Sequence, residues 1–263
     1  MNTGFTPFTV TFVNEPTVDK DHDHLLQTDD CIVVVDGATP LQGLGTADGD
    51  SVRSLCTCVA DAIASSPIND PVDRFIDAAS RCNTDDGSSA VAAAIWTHGG
   101  MVIGAAVGDC VVAIETIDGS VTVLLDQVLG DLDAAAVERM HEKNGTPRRE
   151  DAADLLLANR MLVNTSDGYG AFGPSGMQPA HVKHAAVPLS SVKRILVCSD
   201  GFWRALDTYG LVHDVRELIA SASKSLPGLV RSIRRTESSD LSGDLFPRIS
   251  PSDDITAVLL DSF

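Results

Sequence analysis

Three short apolar runs, far apart in the chain, each carry an aspartate at one end. Residues 32–35 (Ile-Val-Val-Val) lead into Asp36-Gly37, and residues 195–198 (Ile-Leu-Val-Cys) lead into Ser199-Asp200-Gly201. Residues 255–260 (Ile-Thr-Ala-Val-Leu-Leu) follow Asp253-Asp254. Runs this short, rich in β-branched residues and bounded by turn-formers, predict buried strands. A buried strand that ends on a carboxylate must pair that charge, because an isolated ionised carboxylate is very costly in apolar surroundings. Three such carboxylates brought together repel one another unless a cation sits among them. Oxygen-only ligands favour a hard divalent ion, Mg²⁺ or Mn²⁺. Either Asp-Gly alone is also an ordinary strand-ending turn, in which the glycine lets the chain turn sharply. The three motifs together, above all two adjacent acids opening a strand, point to a metal-dependent hydrolytic centre.

The 263 residues, 44% of them apolar, can bury a sizeable core. Neither a linker nor a repeat divides them, so one domain over residues 1–263 is expected. The formal net charge of −18 disfavours nucleic-acid binding, which needs a basic stripe to displace counterions. It does not exclude a phosphorylated substrate, since a bound metal reverses the local sign. No apolar stretch is long enough for a membrane span, and residues 1–11 lack a secretory pattern, so a cytoplasmic protein without membrane contacts is expected. The cysteines (Cys31, Cys56, Cys58, Cys82, Cys110 and Cys198) show no paired zinc spacing. They are expected to be buried, reduced thiols.

Alternation over residues 8–13 predicts a strand, and residues 19–30 read as an acidic, solvated loop, in which the two histidines of His22-Asp23-His24 are the alternative candidates to ligate a metal. A helix is expected over 48–65, with Val52, Leu55, Val59 and Ile63 on one face. Asp70-Pro71 reads as the N-cap and first turn of a second helix that turns Val72, Phe75, Ile76 and Ala79 inward. Strands follow at 89–96, 101–107, 111–116 and 121–125. Hairpin turns at 98–100 and 117–120 imply antiparallel pairing, not a βαβ sheet. Helices are expected at 132–141 and 151–159. The glycine-rich segment 165–178 is either a mobile flap or an inert surface loop. Two helices, over 211–223 and 227–236, separate the strand at 194–198 from the last one.

Five motifs occur in order: Val35-Asp36-Gly37, then Asp86-Gly87-Ser88-Ser89-Ala90-Val91, then Val107-Gly108-Asp109, then Cys198-Ser199-Asp200-Gly201-Phe202-Trp203, and finally Asp253-Asp254-Ile255-Thr256. In these the chain resembles the metal-dependent serine/threonine protein phosphatases of the PP2C (PPM) family, as a divergent bacterial-type member. The resemblance implies an α+β fold, an α-β-β-α four-layer sandwich of two antiparallel sheets flanked by helices, with the metal site at one end. It implies a Mg²⁺- or Mn²⁺-dependent enzyme with two or three ions, acting on phosphoproteins or small phosphoesters. Asp36 resembles the carboxylate that bridges two metals, and Gly37 the residue giving a carbonyl ligand. Asp200 and Asp253 resemble the remaining carboxylates of the first metal, and Asp109 the carboxylate of a third, weaker one. Asp36, Asp200 and Asp253 are thus the expected catalytic residues. Two metals sharing one water lower its pKa towards neutrality, so no protein nucleophile is required.

Several positions depart from the family pattern. Asp254 stands where asparagine is usual. Ala38-Thr39-Pro40-Leu41 replaces a glycine-rich continuation. The usual acidic pair before the first motif is only dimly visible in Asn14-Glu15. The first arginine, Arg53, follows the first metal motif, which leaves Arg160 or Arg204 to hold a substrate phosphate. These departures keep open a catalytically weak or inactive pseudophosphatase that acts as a binding module. Two other chemistries have partial signatures. Cys198 and Arg204 have the bare spacing of a cysteine-phosphatase loop, but Asp200 would sit inside its phosphate cradle. Asp36-Gly-Ala-Thr39 is similar to an aspartyl-nucleophile loop that lacks its second aspartate.

Overall fold

The computed structural model describes residues 4–17, 22–38, 45–141 and 149–262. Ten strands form two five-stranded antiparallel sheets. One has the order β1-β10-β9-β6-β7, from Phe8–Glu15, Ile255–Ser262, Val192–Cys198, Val111–Thr116 and Val121–Leu124. The other has the order β2-β3-β4-β5-β8, from His24–Gln27, Cys31–Gly37, Ala90–His98, Met101–Val107 and Lys183–Pro188.

Alternation along the strands explains why their apolar runs are unbroken, because both faces are buried. On β3, Ile32 and Val34 join Ile114, Ile195, Val197 and Val258 between the sheets. Val33 and Val35 face the other way, under α1 (Gly49–Ala64) and α2 (Pro71–Arg81). Across the molecule, Leu196 and Leu259 turn outward under α5 (Asp200–Asp207) and α6 (Val215–Ser239). The result is four layers, helices outside and sheets inside. A smaller lobe of α3 (Gln127–His141) and α4 (Ala153–Arg160) packs on Ala136, Met140, Ala152 and Leu156.

Local signals explain the helix ends. Asp48 caps α1 by accepting from the Ser51 amide, and Asp70 caps α2 by accepting from the Val72 and Asp73 amides. All four residues expected on the inner face of α1 are buried. The inner face of α2 is rotated from the expected one: Phe75, Ala78 and Arg74 are buried, and Arg74 lies over the Trp96 ring at 4.2 Å. Its guanidinium also donates to the Ser66 and Ile68 carbonyls, which makes burial of the charge tolerable. α6 breaks at Ser225, two residues before Pro227, so the two expected helices are one broken element.

Four expectations are corrected. The acidic stretch before β3 contains a strand, β2, and His22 and Asp23 are buried, not solvated. β8 was not foreseen, because its exposure alternates through small and polar residues. Residues 165–178 are no flap: Phe172 is fully buried and bridges Ala90, and the Asn164 side chain donates to the Ala171 and Pro174 carbonyls. Cys58 and Cys82 form a disulfide, Cα to Cα 5.9 Å, while the other four cysteines are free and buried as expected. α1 and α2 lie side by side, and that packing, invisible in the spacing, brings the two thiols together. Thr39, Pro40 and Leu41 lie outside the described residues. No helix among the described residues is long and apolar enough to cross a membrane.

The disulfide closes a loop with a sequence separation of 24. Cys58→Ser is expected to lower unfolding stability by about 3 kcal/mol, measured by urea denaturation. Adding reductant to the wild type should give a comparable loss, and none to the variant.

Candidate metal centre

All the strand-end aspartates lie at one end of the sandwich. Asp36 continues the face of β3 that carries Ile32 and Val34 between the sheets. Asp109 sits where the chain crosses from β5 in one sheet to β6 in the other. Asp200 opens α5 directly after β9, where the helix dipole favours a carboxylate. Asp253 immediately precedes Asp254 and β10, and its carbonyl accepts from Arg234 at 2.8 Å. Asp36, Gly37, Asp109, Asp200 and Asp253 line one cavity of about 730 Å³, beneath the α3–α4 lobe.

The two Asp-Gly glycines are required by close approach, not by a turn. A Cβ on Gly37 would lie 2.4 Å from Val52 Cγ1 and 2.9 Å from the His22 carbonyl oxygen. A Cβ on Gly201 would lie 2.0 Å from the Asp254 carbonyl oxygen. Gly201 therefore lets the first turn of α5 press against the start of β10, and this fixes Asp200 relative to Asp253.

The electrostatics follow from this crowding. Burial, then Asp23, Asp200, Asp109 and Asp253, push the Asp36 carboxyl well above the usual carboxylate range. Burial and Asp200 do the same to Asp109. Asp133 on α3, also lining the cavity, is raised to about 6, chiefly by burial and Asp200. Sequence reasoning missed Asp23. β2 pairs with β3 so that His24 opposes Val35, which sets the preceding residue, Asp23, beside Asp36. Its Oδ2 accepts from Ser199 Oγ at 2.7 Å, and burial raises it too. A hairpin read across Thr28-Asp29-Asp30 would have found it. Glu15, by contrast, is taken up by Arg234. Asp254 serves the chain, not the cavity: its carboxylate accepts from the Thr17 amide, the Thr17 hydroxyl and the His22 amide.

Arg204, expected only as a candidate phosphate holder, pairs with two of the aspartates. Its Nη2 lies 3.2 Å from Asp200 Oδ2 and 2.7 Å from Asp253 Oδ2. Burial opposes its charge, but those two carboxylates outweigh burial and raise its pKa. Arg160 lines the cavity. The cysteine-phosphatase loop is not formed: Cys198 is fully buried in β9 and burial pushes its thiol well up.

Among the described residues, no three His, Cys, Asp or Glu side chains form a preformed metal cluster; Asp200 and Asp253 meet on Arg204 instead. The donors nevertheless fit a hard divalent cation in kind and charge. They are all oxygens, and Asp200 Oδ1 is buried with no hydrogen-bond partner among the described residues.

Comparison with known proteins agrees with this architecture. No family model matches the sequence, and no curated protein matches it. Solved structures do. A serine-threonine phosphatase 2C from Toxoplasma gondii superposes with a TM-score of 0.57 at 13% identity, over 97% of this chain and 95% of that one. The catalytic domain of the serine/threonine protein phosphatase PstP, holding two manganese ions, gives 0.54 at 15% identity, over 97% of each chain. Stp1 from Staphylococcus aureus gives 0.54 at 13% identity, over 100% of this chain and 98% of that one. The chain has the fold of the PP2C-type serine/threonine phosphatases along its whole length.

The raised carboxyls set a pH dependence. A carboxyl whose folded pKa exceeds its unfolded value binds its proton more tightly when folded, so stability rises as pH falls towards that folded value. The metal-free protein, in chelator, is expected to melt higher at about pH 5 than at neutrality. Carboxyls held below the ordinary range, such as Glu115 beside Arg194 and Lys193, stay ionised across that window. A melting temperature that falls on acidification over this range would contradict the electrostatic picture.

Proposed function

We propose that the chain is a metal-dependent phosphatase of the PP2C type that hydrolyses phosphomonoesters, with phosphoserine and phosphothreonine of proteins as its substrate class. One observation carries this reading: four aspartates from four separate segments, Asp36, Asp109, Asp200 and Asp253, line one cavity. In this reading Asp36, the Gly37 carbonyl, Asp200 and Asp253 hold two Mn²⁺ or Mg²⁺ ions, and Asp109 a third. Bound there, the ions supply a water of lowered pKa and neutralise charge on the phosphoryl oxygens.

The chain's own residues hold and orient the substrate. Arg149 and Arg160 line the same cavity from the α3–α4 lobe. They are close enough that Arg160, after burial, lowers the pKa of Arg149. Neither makes a hydrogen bond or ion pair among the described residues. Asp253, Asp133 and Glu150 offset part of the Arg149 charge, and the donor geometry of the two guanidiniums suits a phosphoryl dianion. Arg204 lines the cavity too, but its Nη2 is committed to Asp200 and Asp253. That commitment favours a second reading, a pseudophosphatase that binds partners without turnover.

The deciding assay is hydrolysis of p-nitrophenyl phosphate and of a phosphothreonine peptide with Mn²⁺, then with EDTA. Turnover is expected with Mn²⁺ and none after chelation. Calorimetric Mn²⁺ binding without turnover would select the second reading. Asp36→Asn or Asp200→Asn is expected to abolish turnover with an unchanged circular dichroism spectrum, and Asp36→Asn in chelator should melt no lower than the wild type. Arg160→Ala is expected to raise KM for the phosphopeptide on the order of tenfold to a hundredfold, with a much smaller change in kcat. An unchanged KM would remove Arg160 from substrate binding.

A further inference from the structure

A two-ion centre does not call for an arginine between two of its carboxylates, yet Arg204 stands between Asp200 and Asp253. Its side chain is 11% exposed, and the two carboxylates are 27% and 26% exposed. This is therefore not the solvated surface pair that contributes almost nothing. The backbone imposes the arrangement. Arg204 lies one helical turn after Asp200 on α5, the spacing at which helix side chains meet. Gly201 locks that helix against the residue that follows Asp253. A positive charge is thus carried to the carboxylate pair by the same helix that supplies one of its members.

We propose that Arg204 is a resident counter-cation of the Asp200–Asp253 pair, and that a divalent ion taking both carboxylates must displace it. The proposal rests on the phosphatase reading in one respect, that Asp200 and Asp253 ligate a common ion. Without an ion, the guanidinium satisfies one oxygen of each carboxylate and leaves Asp200 Oδ1 without a partner. When an ion enters, the guanidinium has a second place to go. Asp207, three residues further along α5, is exposed and lines the same cavity. Arg204 is then a two-position element whose equilibrium the ion biases, and by linkage its hold on the carboxylates lowers ion affinity. It is a positioning residue: it sets when the carboxylates are free to ligate and takes no part in the chemistry.

The test compares the wild type with Arg204→Met, which keeps the bulk of the side chain, and Arg204→Lys, which keeps a charge. Mn²⁺ affinity is read by calorimetry, and melting temperature is read in EDTA and in Mn²⁺. R204M is expected to bind Mn²⁺ about tenfold more tightly than the wild type. It should melt lower in EDTA and gain more from Mn²⁺, and R204K should fall between the two. An R204M that folds only with Mn²⁺ present supports the proposal in the same way. Should R204M fail to fold in either condition, R204K decides on the same scale. Mn²⁺ affinity in the variants equal to or weaker than in a wild type that binds the ion would overturn the proposal and leave the phosphatase reading standing. No Mn²⁺ binding by any of the three proteins would overturn both.

Discussion

Mutual repulsion among aspartates at one end of a sandwich is the constraint on which this structure depends. Each of the four is delivered by a segment whose apolar residues are fully buried, so none can retreat without disturbing the core. Core burial is worth roughly 1.5–3 kcal/mol for each large side chain, and many such side chains hold the strands in place. The fold therefore tolerates a local electrostatic penalty that no isolated loop could sustain. Burial first, and the neighbouring carboxylates after it, raise Asp23, Asp36 and Asp109, and Arg204 pairs with Asp200 and Asp253.

The architecture and the departures from the family pattern concern different parts of the molecule. The overall fold is shared with solved PP2C-type phosphatases at 13–15% identity. Around the carboxylates of this chain, two arginines approach from the α3–α4 lobe and a third is built into α5. These side chains can change while the sandwich that positions the aspartates stays the same.

Much of this was legible in the sequence, for identifiable reasons. The runs before Asp36 and Asp200 and after Asp253 are buried on both faces, and an unbroken apolar run is the signature of that burial. Asp48 and Asp70-Pro71 announce their helices because capping is local chemistry. What stayed hidden depends on pairing across distance. Asp23 joins the aspartates only through the register of a short, polar strand, and Cys58 meets Cys82 only because two helices lie side by side. The glycine-rich connector 165–178 hides its order in Phe172 and Asn164, which pack against partners that no local pattern reveals. Arg204 was in plain view at helical spacing from Asp200. Its bond to Asp253 needed β10 in place.

The position of β10 has a consequence for how the molecule comes into being. It is the last strand in chain order, yet it lies between β1 and β9, inside its sheet. It pairs Phe8 with Ser262 and Glu15 with Ile255, near opposite ends of the sequence. The middle of that sheet is absent until residues 8–15 and 255–262 have met. The contacts that complete it have very large sequence separation, the kind that folds slowly. Asp254, whose carboxylate accepts from the Thr17 and His22 amides, comes with the same strand. Asp36 and Asp200 therefore acquire Asp253, their neighbour at the cavity, only once this long-range pairing has formed.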